Sequence, residues 1–169
     1  MRNDDELVDV VDENDCVIFT VTRKEQEEQK LRKRISKVII RNKLGYYLIQ
    51  QRGNTHMWPH HWDIGVGETV GAGESYEHAA IRGLQEELGM LTNHLNYFGK
   101  YPFLLRDKIP RMVSFFEYVG DDSISPDPVE VKDFRWVDEQ YLRDLMKAQP
   151  KNWMELTFIM LEKYWEWKK

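Results

Sequence analysis

Residues Gly67–Met90 read GETVGAGESYEHAAIRGLQEELGM. The stretch opens as a glycine-rich loop, passes Ser75, a good helix N-cap, and runs as a helix until Gly89 stops it. Ala79, Ala80, Leu84 and Leu88 fall on one face of that helix and the charged residues on the other. Two adjacent glutamates, Glu86 and Glu87, stand near its C-terminal end, where the macrodipole favours cations. Arg82 lies one turn before Glu86 and can pair with it. Gly83 sits in the helix interior, where glycine costs about 1 kcal/mol relative to alanine. At about 3.6 residues per turn it shares a face with Glu86 and Glu87. Two carboxylates beside loop carbonyls form an oxygen-rich pocket of the kind that hard Mg²⁺ prefers. From spacing alone, an ordinary amphipathic helix with its charges in water is the simpler reading.

The rest of the chain bounds what this stretch can belong to. A length of 169 residues fits one domain, and 41% hydrophobic with 12% aromatic residues supplies a core. A net charge of -5 argues against non-specific nucleic-acid binding, which needs a basic face. The run RKEQEEQKLRKR (Arg23–Arg34) mixes both signs and reads as a solvated helix face. One cysteine, Cys16, excludes an internal disulfide, and no CxxC pair offers zinc ligands. It reads as a packing residue of the first hairpin. The acidic start MRNDDELVDV lacks the apolar centre of a signal peptide, and no apolar run is long enough to span a bilayer. A soluble cytoplasmic protein is expected, with no nucleic-acid or membrane partner.

Outward from the opening stretch, ELVDVVDENDCVIFTVTR predicts a β-hairpin turning at Asp12–Asp15, followed by a polar helix over Lys24–Leu31. Ser36–Asn42 and Gly45–Arg52 predict two strands joined as a second hairpin. Gly53–Asp63 is a loop punctuated by Gly53 and Pro59. Further strands are expected near Leu95–Phe103, Arg111–Val119 and Val131–Val137. Asp138 can cap a helix to Gln149, and Asn152 another to the C-terminus. The order predicts an α+β fold, three layers with a central sheet. The closing segment WMELTFIMLEKYWEWKK (Trp153–Lys169) is aromatic at helical spacing, first a core face and second a dimer or membrane-surface face.

The Gly67–Met90 stretch resembles the Nudix box, G-x5-E-x7-R-E-U-x-E-E-x-G-U with U aliphatic. Glu74, Arg82, Leu84, Glu86, Glu87 and Gly89 fall on the pattern, with Met90 a loose fit. Glu68 stands where the pattern has glycine, and Gly83 where it has glutamate. ELVDVVDEND, WPHHWD and VKDFRWV extend the resemblance over nearly the whole chain, towards the Nudix branch related to isopentenyl-diphosphate isomerase. The resemblance implies a Nudix α/β/α sandwich as a single domain over residues 1–169, with the N-terminal β-hairpin and C-terminal helices added to it. It implies a loop-helix-loop holding Mg²⁺ or Mn²⁺ against a diphosphate. Carried over, Glu86 and Glu87 are metal ligands with the Gly67 carbonyl a further one, and Glu74 with Arg82 braces the loop. A metal so placed neutralises diphosphate charge and lowers the pKa of bound water for attack on phosphorus. Arg52 is a candidate phosphate clamp, since guanidinium matches phosphate oxygens in bidentate fashion; a surface arginine is the plain alternative. The glutamate missing at Gly83 belongs to the metal cluster of many members, and Glu68 is the candidate substitute, against its reading as a surface loop residue.

The isomerase itself needs a cysteine, a glutamate and metal-holding histidines. Those positions carry Gly67, Thr69 and Lys33 here, and Glu117 comes too late in KIPRMVSFFE to be the acid. His56, His60 and His61 read as a loop wall before a metal site; His56 is also a candidate phosphate contact. His78 and His94 read as surface residues. The expected activity is metal-dependent hydrolysis of a diphosphate linkage in a small molecule. The rivals are a non-catalytic diphosphate-binding module and, third, the isomerase. A homodimer is left open.

Overall fold

The apolar residues of Lys33–Arg41 fall on both faces of a strand, which requires that strand to be covered on both sides. The structure, a computed structural model, describes residues 3–54 and 58–169. In it, Lys33–Arg41 is β3, the centre of a seven-stranded mixed sheet. Before it come β1 (Leu7–Val11), β2 (Val17–Thr22) and α1 (Arg23–Glu28). After it follow β4 (Tyr47–Arg52), β5 (Trp62–Ile64), β6 (Val66–Thr69), α2 (Tyr76–Leu88), β7 (Asn96–Leu104), β8 (Pro110–Val119) and β9 (Val131–Val137). The chain closes with α3 (Glu139–Ala148), a 3₁₀ turn at Pro150–Asn152 and α4 (Glu155–Trp167).

β3 runs parallel to β8 along its whole length, from Lys33 opposite Arg111 to Arg41 opposite Val119. Along its other edge β3 pairs antiparallel with β6, so that Lys37 faces Gly67 and Ser36 faces Glu68. The sheet separates two cores. On one side Val38, Ile40 and Val66 pack with Ala80, Leu84 and Leu88 of α2. On the other, Ile39, Ile49 and Phe115 pack with Leu142 of α3 and Met160, Leu161 and Tyr164 of α4. The closing aromatic helix is therefore a core element, as its spacing predicts. The arrangement is the expected α+β sandwich, helix against sheet against helices.

Several local expectations need correction. The turn at Asn42–Gly45 forms, with Gly45 at φ +91°, but β3 and β4 share only the pair Arg41 and Tyr47. Beyond it the strands diverge: β3 takes β6, while β4 takes β5 and β9. Part of the glycine-rich stretch is strand, since β6 spans Val66–Thr69. α1 is only six residues long, started by a capping box between Thr22 and Glu25 and ended before Lys30, which sits at φ +52°. α4 starts after Met154, not at Asn152, which lies in the 3₁₀ turn. Cys16 is exposed rather than packed.

The N-terminal hairpin forms a separate two-stranded sheet tied to the core by charge. Asp15 accepts from Tyr76 (2.8 Å) and Lys100 (2.5 Å) and pairs with Arg34 at 3.2 Å. Asp9 accepts from the Gly73 amide at 2.8 Å, which joins the hairpin to the loop before α2. No helix among the described residues is long and apolar enough to cross a membrane.

Candidate active site

α2 begins where Ser75 caps the His78 amide and ends at Gly89, whose φ of +64° lets the chain turn away. Between them the helix carries Arg82, Gly83, Glu86 and Glu87 towards β6 and the loop Val70–Glu74. Arg82 is the hub. Its Nε and Nη2 donate to the two oxygens of Glu74 at 3.0 and 2.9 Å, a bidentate pair, and Nη2 also donates to the Thr69 carbonyl at 2.9 Å. Its Nη1 lies 3.6 Å from Glu68 and 3.5 Å from Glu86. Glu74 in turn accepts from the Gly71 amide at 2.8 Å. Burial pushes the Glu74 carboxyl up, but the Arg82 and Gly71 hydrogen bonds prevail and hold it below the ordinary glutamate value.

Glu87 is buried, while the Glu86 side chain is 57% exposed. Glu87 accepts a 2.8 Å hydrogen bond from Gln50 on β4. Its carboxyl is pushed up to about 8, first by burial and further by the charges of Glu68 and Glu130, against the pull of Gln50 and Arg52. Burial also raises Glu68, against Arg82 and the Thr69 amide. Glu68 descends from β6 onto α2 at the helix interior glycine. A Cβ at Gly83 would lie 3.0 Å from the Cβ of Glu68 and 3.0 Å from Cγ1 of Val66.

Glu68, Thr69, Arg82, Glu86 and Glu87 line one cavity of about 700 Å³, together with Gly67, Arg52 and Trp58. The cavity extends past Lys37 and Asp63 to Lys33, Ile35, Leu105 and Arg111. The sequence expectations thus meet in one place for Glu68, Glu86, Glu87, Arg82, Gly67 and Arg52, with Glu74 behind Arg82. His56 lies outside the described residues. His60 and His61 do not line the cavity; the His61 ring contacts the Pro59 carbonyl at 3.1 Å, and the His60 carbonyl accepts from Gln51. Among the described residues no three histidine, cysteine, aspartate or glutamate side chains converge as a ready metal cluster. Glu87 is turned to Gln50 and Glu86 to Arg82.

Sequence reading passes over Gln50, Lys37 and Asp63. Lys37 donates to Asp63 at 2.6 Å with both side chains buried. Asp63 also accepts from Thr157 of α4 at 2.6 Å and from the Ile64 amide at 2.8 Å. A signal was available: at period two Lys37 falls between Ile35 and Ile39, a charge set within an apolar face. Gln50 carries no comparable signal, since its partner is remote in sequence.

The NUDIX domain family matches residues 30–157. An uncharacterized Nudix hydrolase of Streptomyces coelicolor is 41% identical over 90 residues, which are 53% of this chain and 50% of that protein. The chain spans 50 to 60% of the length of the first curated relatives it matches. Among solved structures, DR0079 from Deinococcus radiodurans superposes with a TM-score of 0.79 at 23% identity, covering 94% of this chain and 99% of that one. The NUDIX domain of Shewanella oneidensis NrtR, complexed with ADP ribose, superposes with a TM-score of 0.65 at 15% identity, covering 88% and 100%. With three quarters of its residues inside the family match and Arg82, Glu86 and Glu87 of the box at one cavity, the chain belongs to the Nudix family.

Proposed function

We propose that the protein is a metal-dependent pyrophosphohydrolase that cleaves a diphosphate linkage in a nucleoside diphosphate-X or related small molecule, water attacking phosphorus. The observation that carries this reading is the fit of Glu68 over Gly83. The carboxylate that the helix lacks at position 83 is supplied from β6, and its stem occupies the space a side chain at 83 would need. The exchange keeps three carboxylates, Glu68, Glu86 and Glu87, at the cavity.

These residues suit a hard divalent cation. The donors are oxygens, and Glu87 is buried beside other acids, a position in which a cation relieves the cost of its charge. Glu86, Glu87, Glu68 and the Gly67 carbonyl are the assigned ligands of Mg²⁺ or Mn²⁺, with Glu86 and Glu87 drawn from Arg82 and Gln50. Such a cation, when bound, would neutralise diphosphate charge and make a nearby water easier to deprotonate. Glu68, raised by burial, is positioned to take the proton of the attacking water. Arg82 and Glu74 hold the loop against the helix, and Arg52 contacts phosphate. The ADP ribose held by the Shewanella domain supports a diphosphate-linked small molecule as the class of ligand. We place the chain in the isomerase-like branch as a cytoplasmic hydrolase without isomerase activity, because Gly67, Thr69 and Lys33 stand at the positions of the isomerase's cysteine and histidines.

The test is identification of the phosphomonoester or phosphate products formed from a panel of nucleoside diphosphate sugars, dinucleoside polyphosphates and prenyl diphosphates with Mg²⁺ or Mn²⁺, comparing wild type with Glu87→Gln. Metal-dependent turnover lost in the variant supports the hydrolase. Diphosphate binding without turnover on any compound replaces it with the binding module.

A further inference from the structure

The Lys37–Asp63 pair is unequal in a way that points to a ligand. Asp63 is finished as an acceptor, with Lys37 on Oδ2 and Thr157 and the Ile64 amide on Oδ1. An ammonium has three N–H donors, and among the described residues Asp63 is the hydrogen-bond partner found for Lys37. Two donors are unspent on a side chain only 3% exposed that lines the cavity. A pair serving stability alone gains little over apolar packing, and here it interrupts the apolar row Ile35–Ile39 on β3.

Gly67 makes room for this side chain. A Cβ there would stand 2.7 Å from Cδ and 3.0 Å from Nζ of Lys37, so any other residue displaces the ammonium. The positive charge therefore lies against the backbone of a residue assigned to the metal.

We propose that Lys37 is a substrate-binding residue whose ammonium takes an anionic oxygen of the bound diphosphate beside Gly67, with Asp63 and Thr157 as the residues that aim it. The assignment rests on the diphosphate reading of the site but not on turnover. It is tested by equilibrium binding of inorganic pyrophosphate without metal. Asp63→Asn keeps the ammonium but loosens its aim, and weakens binding less than loss of the ammonium does. Lys37→Gln/Asp63→Asn, a neutral pair that can still hydrogen-bond, weakens binding about tenfold or more, the scale of one charge-assisted hydrogen bond. Thermal melting checks that the double variant folds. On the wild type itself, the Lys37 Nζ resonance shifts on titration with pyrophosphate, a readout that needs no variant. A wild type that does not bind pyrophosphate, a folded double variant that binds as wild type does, or an unmoved Nζ resonance overturns the proposal. Loss of turnover on every compound with pyrophosphate binding intact would sink the hydrolase and leave the Lys37 site standing.

Discussion

The Cβ that Gly83 lacks would lie 3.0 Å from the Cβ of Glu68, so the two departures from the Nudix pattern are one packing event. Glu68 stands where the pattern has glycine, and glycine stands where it has glutamate. The two substitutions complement each other, because a side chain at 83 would crowd Glu68 and Val66 and force them to give by a few tenths of an ångström.

That relationship has a direct test. Gly83→Glu alone forces Glu68 aside and should destabilise by about 1–3 kcal/mol, the usual cost of overpacking. Glu68→Gly alone removes a carboxylate and leaves a void. The double variant Glu68→Gly/Gly83→Glu restores the family pattern and should recover most of the stability and metal-dependent turnover lost in either single variant. Denaturant melts and rates of product formation across the four proteins measure the coupling. Additive losses would show the two positions to be independent.

Arg82 and Glu74 set the acid limit of the site. Arg82→Ala leaves Glu74 and Glu68 without their main cation and should cost about 1–2 kcal/mol, a figure discounted for the partial exposure of the pair. Arg82→Lys should not rescue it, because an ammonium cannot span both Glu74 oxygens. Glu74 titrates below its ordinary value of 4.5 in the folded state. Its contribution is therefore present above that value and is lost as pH falls through the lower folded one. Stability measured by denaturant between pH 3 and 6 (a range of about 3 units chosen around the glutamate pKa) should fall less steeply on the acid side in Glu74→Gln than in wild type.

Glu87 sets the opposite limit. Its carboxyl is raised from 4.5 to about 8, so the folded state holds a proton that the unfolded chain has released. The contribution is full below 4.5 and is lost as pH rises through about 8. Without metal, wild type should melt lower at alkaline pH than near neutrality, and Glu87→Gln should flatten that decline. Mg²⁺ should raise the alkaline melting temperature of wild type, because binding the ionised carboxylate releases the proton. Turnover in Mg²⁺ should rise towards alkaline pH. Calorimetry in buffers of different ionisation enthalpy counts the proton released; none released would remove Glu87 from the ligand set.

What the sequence makes legible here follows from what is local. α2 is bounded by Ser75 and Gly89, residues whose own conformations end a helix, and Ala79, Ala80, Leu84 and Leu88 declare its buried face. The site residues inside α2 are legible for the same reason. The divergence of β3 from β4 is not, because the choice of β6 and β9 as partners is made by tertiary packing after a turn that would serve a plain hairpin equally well. Gln50 behind Glu87 and Thr157 behind Asp63 are contacts across 37 and 94 positions. No local pattern encodes them. The Glu68–Gly83 contact lies between these cases: the motif marks both positions as unusual, but only the strand-to-helix distance shows that they answer each other.

The network around Glu117 gives the last prediction. Tyr164 of α4 is fully buried and donates to Glu117 of β8 at 2.5 Å, while Arg41 of β3 donates to the Tyr164 hydroxyl at 3.0 Å. Lys168 lies 3.2 Å from the same carboxylate, and Asn96 donates to it at 3.3 Å. Burial alone would raise Glu117, but the Tyr164 and Lys168 hydrogen bonds hold it below the ordinary value of 4.5. Tyr164→Phe keeps the ring and deletes the central hydroxyl, leaving Arg41 without one partner and Glu117 with a weaker shell. It should cost about 1–3 kcal/mol, and the acid loss of stability should begin at higher pH, since the carboxyl moves back up. Thr157, which aims Asp63, sits two turns earlier on the same helix. If the hydroxyl network fixes that helix, Tyr164→Phe should also weaken pyrophosphate binding, though less than loss of Lys37 does. Denaturation as a function of pH and pyrophosphate titration of one variant measure both effects, and a change in stability with binding untouched would confine the network to the core.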